Sequence, residues 1–396
     1  MEVSAYGVTK AKELLRPLII ERRELTEFDV LVDILYCGVC HSDKHHIYND
    51  WNDSDFSEDG LIPGHEVIGL VSDIGDGVSK FEIGDAVAIG NMTDSCQHCE
   101  KCKKKDEQYC LNGGPTWTYN SKERLTENGG RSLKPQGQKT YGGYSTKIVA
   151  QEGFVFKLPD NLDLARSAPL LCAGITMFYP LKKFKIGKGF IVGIAGVGGL
   201  GHLGIKFAKA LGADVVALTT TDWKVEDSLN LGADDSILMS KNFIDYINIK
   251  HKIESTMPIT EAESILYNKL SKYPEIVLKS KYLGKFDLII NTIPVAHDVT
   301  SYLHLLKPGG SKLHIVGNMN EFPNLKGLNF VFGGKQITSS NVGGTYDTKE
   351  MLQFCSDNNI QANIELIDIK ATNDAIKLVV NKEARYRFVI DMSTLK

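Results

Sequence analysis

Over the first 160 positions, apolar and polar residues alternate in short runs: VLVDILYCGV, EVIGLVSDIG, DAVAIG, YSTKIVA and FVFKLP. Gly, Pro and Asp break the runs apart. This period-two pattern with recurring turns predicts strands in an all-β, barrel-like unit. The style changes near Gly187. GFIVGIA is a continuous apolar run, as suits a strand buried on both faces. LGIKFAKALG then follows at helical spacing, and DVVALT, FDLIINTI and KLHIVGN read as further strands. Strands alternating with helices predict a parallel α/β sheet. Around Ile337 the first style returns, and the chain closes on a helix, DTKEMLQFC, and strands such as RYRFVIDM. At 396 residues, two domains are expected.

Cysteine spacing adds chemistry to this outline. Cys96, Cys99, Cys102 and Cys110 stand in CQHCEKCKKKDEQYC with the spacing C-x2-C-x2-C-x7-C. Four thiolates this close can close a tetrahedral all-sulfur shell around zinc. A ferredoxin-type run would place three residues before its last Cys and a Pro after it. Here seven residues intervene and Leu111 follows. Disulfides suit such short repeats less well than a metal does. The shell has no open position, so this zinc would staple a lobe and do no chemistry.

A second metal signature is scattered. CGVCHSD offers Cys40, GHE offers His65 and Glu66, and PLLCAG offers Cys172. One His and two Cys would leave a fourth zinc position open for water or substrate. CGVCH also matches a c-type haem attachment motif. That chemistry needs an exported apoprotein, and MEVSAYGVTK carries no apolar leader. A thioredoxin-like reading of Cys37 and Cys40 lacks the flanking βαβ pattern.

Gly196-Val197-Gly198-Gly199-Leu200-Gly201 is a G-x-G-x-x-G between an apolar strand and a helix. Gly196 would make the tight turn, Gly198 would let a pyrophosphate approach, and Gly201 would let the helix pack on the strand. The helix N-terminus would then face the phosphates. An acid at the end of the next strand would bind a ribose 2′-hydroxyl. The chain instead has Thr219, Thr220 and Thr221, then Asp222-Trp223-Lys224. Three hydroxyls and Lys224 suit a 2′-phosphate and predict NADP. An inward Asp222 would weaken that preference, and the threonines could instead cap the next helix.

Composition narrows the class further. A net charge of -4 gives no reason to expect nucleic acid, and the lysines at 101 and 103–105 are followed at once by Asp106 and Glu107. No run is long and apolar enough to span a membrane. Eight cysteines are too few for a disulfide scaffold in a chain this size. A reducing compartment, the cytosol, is the expectation.

CGVCHSD, IPGHEVIG, the four-cysteine run, WTYN, PLLCAGIT, GVGGLGHLGIKFAKALGA and RYRFVIDM together resemble the zinc-dependent alcohol dehydrogenases of the medium-chain dehydrogenase/reductase superfamily. Within it they are most similar to the cinnamyl alcohol dehydrogenase group. The resemblance covers most of the chain. It implies an α/β protein with a GroES-like β-barrel-type catalytic domain from residues 1–172 and 337–396. A Rossmann doubly wound parallel-sheet NADP-binding domain, residues 173–336, lies between them. It implies two zinc ions per chain, a small-molecule alcohol or aldehyde substrate and a homodimer formed through the nucleotide domain. By resemblance, Ser42 touches the substrate oxygen, His45 is the terminal proton-relay base and Asp43 orients His65. Glu66 lies close to the zinc, and Trp117 and Tyr119 line the substrate pocket. An aromatic wall suits a planar aldehyde. NADP-dependent members carry a Ser-Thr-Ser segment and a Lys where this chain has Thr219–Thr221 and Lys224.

The expected reaction is hydride transfer between NADP(H) and a primary alcohol or aldehyde, aromatic or medium-chain. An NAD-dependent polyol dehydrogenase and a non-catalytic zinc- and dinucleotide-binding protein are the alternatives. None of Cys40, Ser42, His65 and Cys172 is lost, which favours an enzyme. Residues 241–284 fall outside the resemblance. They read as an apolar-rich insertion packed on the nucleotide domain, replaceable by a linker without loss of zinc or turnover, with a partner contact as the competing reading.

Overall fold

The structure, a computed structural model, describes residues 1–57, 59–125, 130–331 and 333–395. The chain divides into two compact units, Met1–Tyr179 with Val342–Lys396, and Pro180–Asn341.

The first unit is built on a seven-stranded sheet. Its order is Ile364–Asp368, Arg387–Asp391, Asp29–Gly38, Val67–Ile74, Ala86–Ile89 and Val155–Lys157, and Lys147–Gln151 also pairs with Asp29–Gly38. Alternating side chains of these strands, including Val30, Val32, Ile34, Val71, Val87, Ile148 and Ile390, fill one buried core. Asp29–Gly38 pairs antiparallel with Val67–Ile74, with irregular register between Leu31 and Val32 and between Ile34 and Tyr36. Such irregularities bend and twist a strand toward closure. The pairing also sets the site. Cys37 lies opposite Val67, and Gly38 lies opposite Val389. Cys40, His65, Glu66 and Arg387 therefore all emerge at one end of the sheet.

The second unit is a six-stranded, all-parallel sheet. Its order is Asp235–Leu238, Asp214–Thr219, Ile191–Ala195, Leu288–Asn291, Lys312–Ile315 and Gln336–Ser339. Strand order reverses at Ile191–Ala195, as in the doubly wound dinucleotide fold. Gln336–Ser339 corrects the reading that the first unit resumes at Ile337. It is the edge strand of this sheet, exposed at Gln336 and Ser339 and half-buried at Ile337 and Thr338. In sequence that is indistinguishable from the style of the first unit, which resumes at Val342.

Residues 241–284 pack on the nucleotide-binding sheet, as the sequence suggested. They form the helices Lys241–Glu254, Glu261–Leu270 and Pro274–Lys279. Ser240 caps the first, accepting the Phe243 N–H at 3.2 Å. Thr260 and Glu263 cap the second reciprocally, at 3.1 and 2.8 Å. Phe243, Tyr246, Ile247, Leu270 and Ile276 are buried in one core with Val216, Leu218 and Ile289 of the sheet. Parallel strands need a covering crossover, and this segment supplies the one from Asp235–Leu238 to Leu288–Asn291. Among the described residues no helix is long and apolar enough to cross a membrane.

Candidate active site

The helix His41–Tyr48 starts directly after Cys40, at the end of the central strand. Asp43 lies in its first turn and accepts the Cys40 N–H at 2.9 Å, and Asn49 closes the helix in the left-handed region. Cys172 follows a short 3-10 turn, Ala168–Leu171. These elements bring one ligand atom from each of Cys40, His65, Glu66 and Cys172 within 4.8 Å of one another, all buried.

The geometry fits zinc. The Cys40 and Cys172 sulfurs are 3.8 Å apart. That is far beyond a disulfide and equals the edge of a tetrahedron with zinc–sulfur bonds of about 2.3 Å. His65 Nδ1 lies 3.3 Å from Asp43 Oδ1, while its Nε2 is buried without a partner. A buried, orphaned imidazole nitrogen beside two thiols is costly unless a cation takes it. Burial opposes charging His65, but Asp43 and Cys40 hold its pKa well above the usual imidazole range. The hydrogen bond with the Cys172 thiol draws Cys40 well below the usual thiol range, against the effect of burial.

Asp43 is fully buried and carries more than His65. It accepts the Tyr119 hydroxyl at 2.8 Å, the Tyr144 hydroxyl at 3.2 Å and the Gly64 N–H at 3.1 Å. Tyr119, expected on the substrate wall, is buried with its ring 5.8 Å from that of His65. Its hydroxyl is spent on Asp43. Trp117, half-buried, sits on a two-residue strand paired with Met92–Asp94.

Glu66 pairs through Oε1 with the buried guanidinium of Arg387, and its Oε2 has no partner. Burial pushes its carboxyl up to about 7, with Arg387 pulling the other way. Glycine is required at position 38, where a Cβ would lie 2.0 Å from Glu66 Oε2. Arg387 and Tyr144 are the residues that sequence reasoning left without a role. Their signals are RYRFVIDM and the YGGYS run.

Ser42 and His45 lie three residues apart on the helix, hence on one side of it. His45 Nδ1 is 2.7 Å from Asp50 Oδ2, and its ring stacks on Trp51 at 4.9 Å. His41 and His46 flank it, and burial lowers the pKa of both. His46 Nδ1 lies 3.2 Å from Asn120 Nδ2.

The second cluster gathers Cys96, Cys99, Cys102 and Cys110 within 4.8 Å. The sulfurs of Cys96 and Cys102 are 3.8 Å apart, and those of Cys99 and Cys102 are 3.5 Å apart. Cys96 Sγ accepts the Cys99 N–H, and Cys99 Sγ accepts the Leu111 N–H, each at 3.4 Å. These donors suit thiolates.

In the second unit, Gly196 ends the strand Ile191–Ala195 with φ +90°. Gly201 opens the helix Gly201–Ala210, and a Cβ there would lie 2.0 Å from the Gly196 carbonyl oxygen. A Cβ on Gly198 would meet nothing within 4 Å, so the loop leaves open space where a phosphate would approach; Gly199 and Leu200 complete the turn. Thr219, buried, ends the strand Asp214–Thr219 and accepts the Thr221 N–H at 3.2 Å. Thr220 is exposed, and Thr221 half-buried. Asp222 is exposed just before the helix Trp223–Asn230, and neither it nor the threonines cap that helix by side chain. Lys224 is buried, its ammonium 5.1 Å over the Trp223 ring. Long cationic side chains often cover apolar surface in this way.

Residues 26–160 match the alcohol dehydrogenase GroES-like domain family, and residues 199–357 match the zinc-binding dehydrogenase family. An NADP-dependent alcohol dehydrogenase C of Mycolicibacterium smegmatis is 36% identical over 100% of this chain and 99% of its own. A probable mannitol dehydrogenase of Medicago sativa is 39% identical over 96% of this chain and 92% of its own. Among solved structures, a cinnamyl alcohol dehydrogenase of Sorghum bicolor superposes with a TM-score of 0.84 at 31% identity, covering 100% of this chain and 99% of that one. The cinnamyl alcohol dehydrogenase of Helicobacter pylori complexed with NADP(H) gives 0.79 at 32% identity, covering 99% of each chain. With barrel, parallel sheet and both cysteine clusters accounted for, the chain belongs to the zinc-dependent alcohol dehydrogenases of the medium-chain dehydrogenase/reductase superfamily, in the cinnamyl alcohol dehydrogenase group.

Proposed function

We propose that this protein is an NADP(H)-dependent zinc alcohol dehydrogenase that works mainly as a reductase of aromatic or medium-chain aldehydes. The observation that carries this reading is the buried Cys40–His65–Cys172 cluster, whose His65 Nε2 has no hydrogen-bond partner among the described residues. Zinc there would polarise the substrate oxygen, and NADP(H) would give or take the hydride. Cys40, His65 and Cys172 would hold the metal, and Glu66 lies beside them with one oxygen tied to Arg387. Asp43 fixes the ring of His65 so that Nε2 faces inward. Cys96, Cys99, Cys102 and Cys110 would hold a second zinc, which, with its four positions filled by sulfur, would do no chemistry.

The hydroxyl proton must leave through protein groups. Ser42 would contact the reacting oxygen, and His45, oriented by Asp50, would pass the proton to bulk water. Ser42→Ala is expected to cut turnover about 100-fold or more, and His45→Gln about tenfold, with small imidazole buffers restoring part of the His45 loss. Initial rates across buffer concentrations check this. Equal losses indifferent to buffer would sink the relay.

Thr219, a neutral residue at the strand end, and the two hydroxyls after it support NADP. NADPH should therefore be preferred over NADH in kcat/KM. In Thr219→Asp the carboxylate can still accept the Thr221 N–H but repels a 2′-phosphate, so the preference should fall by about tenfold or reverse. A parent protein that uses NADH more efficiently would refute the pocket, with exposed Asp222 as the first suspect.

The likeness to a probable mannitol dehydrogenase keeps a polyol reading in view. A panel of aromatic aldehydes, aliphatic aldehydes and hexitols with both cofactors separates the two. Six of the eight cysteines gather in the two metal clusters, and Cys37 and Cys355 are buried thiols, which supports a reducing compartment such as the cytosol. The edge position of Gln336–Ser339 supports a homodimer through the nucleotide unit, which light scattering in solution would measure.

A further inference from the structure

Arg124 is fully buried, and among the described residues no carboxylate lies within ion-pair distance of it. Its neighbours' charges are already engaged, Glu123 with Arg23 and Asp94 with Arg131. Its terminal nitrogens donate to the carbonyls of Asn112, Gly114 and Leu133, and one lies 3.9 Å from Cys110 Sγ; its Nε has no partner. A guanidinium stays charged, and a buried charge without a counter-charge is strongly unfavourable. Zinc with four thiolates carries two negative charges, and this site is what Arg124 faces.

We propose that Arg124 is the counter-charge of the four-cysteine site, slowing loss of the metal and attack on its ligands. The inference rests on the reading that this cluster holds zinc. Carbonyl dipoles of Asn112, Gly114 and Leu133 fix the planar fork, and one of its nitrogens is thereby held at the Cys110 sulfur. Arg124 is a positioning residue of the lobe, with no contact to the reacting atoms.

The test compares the parent protein with Arg124→Lys and Arg124→Gln. Metal analysis of the parent comes first. One zinc per chain, with the Cys96–Cys110 peptide alkylated freely by iodoacetamide, would overturn the zinc reading itself. With two zincs present, release to a chromogenic chelator and alkylation of Cys110, followed by peptide mapping, are measured for each protein. Removing one charge-assisted bond should speed both by about tenfold in Arg124→Gln. Arg124→Lys keeps the charge and should stay within about threefold of the parent, since a lysine loses only the forked geometry. An Arg124→Gln protein that is recovered only without this zinc, or is insoluble while Arg124→Lys folds loaded, also supports the counter-charge. Parent-like release from Arg124→Gln overturns it. So does an Arg124→Lys protein that is insoluble or releases zinc as fast as Arg124→Gln, because the carbonyl bonds rather than the charge would then be what matters.

Discussion

Cys172→Ala should retain one zinc ion where the parent holds two, and its turnover should fall to background, with the fold preserved. The thiol stands 3.8 Å from Cys40 Sγ in a buried cluster, so its removal leaves one thiolate and one imidazole to hold the metal. Two ligands cannot define a tetrahedral shell, and metal affinity falls steeply with each ligand lost. Glu66 is the one group placed to compensate, through the oxygen that Arg387 does not hold. If it does so, Cys172→Ala will keep a weakly bound second zinc, and adding Glu66→Gln will release it. The structural cost of losing the sulfur is a small cavity, about 1–2 kcal/mol. Cys102→Ala makes the contrast. It should also lose one zinc, but through a lobe that its metal holds folded, so thermal stability rather than chemistry suffers first. Metal analysis, circular dichroism and initial rates on the two variants separate these outcomes. An active Cys172→Ala, or a parent with a single zinc, would end the assignment.

How much of this was legible in the sequence depended on how local each feature is. The four-cysteine lobe and the glycine-rich turn lie within runs of fifteen and six residues, so spacing alone identifies them. Cys40 and Cys172 are 132 positions apart, and they were paired by the joint pattern of motifs rather than by any local rule. The pairing of Arg387 with Glu66, 321 positions apart, escaped notice. An arginine near the start of an apolar strand is ordinary, and only burial makes it demand an acid. The bonds of the Tyr144 and Tyr119 hydroxyls to Asp43 escaped in the same way, because a hydroxyl's partner is set by packing. At Lys224 the sequence supplied the residue type but not its direction, which the apolar face of Trp223 decides. At Ile337 an edge strand of a parallel sheet, only half-buried at its centre, lacked the continuous apolar run that marks the inner strands.

Replacing residues 246–282 with a short Gly/Ser linker is expected to unfold the nucleotide unit. The segment buries Tyr246, Ile247, Ile249, Leu270 and Ile276, and Tyr246 stacks on Tyr267 at 4.9 Å. At about 1.5–3 kcal/mol per buried large apolar side chain, five such residues contribute on the order of 10 kcal/mol. That equals the whole stability of an ordinary domain, about 5–15 kcal/mol. The linker also strips the crossover from one face of a parallel sheet, and uncovered parallel sheets are scarcely found. The hydrogen bond from the Tyr282 hydroxyl to Asp235 Oδ2 at 2.9 Å, on the strand Asp235–Leu238, would go with the segment. A graded version avoids the insoluble extreme. Ile247→Ala, at a site with 0% exposure, should cost about 2–5 kcal/mol and lower the melting temperature without changing zinc content. NADPH binding followed by fluorescence, zinc analysis and thermal melts read out both variants. A soluble linker variant with parent-like melting and NADPH kinetics would show that these helices rest on the sheet without supporting it.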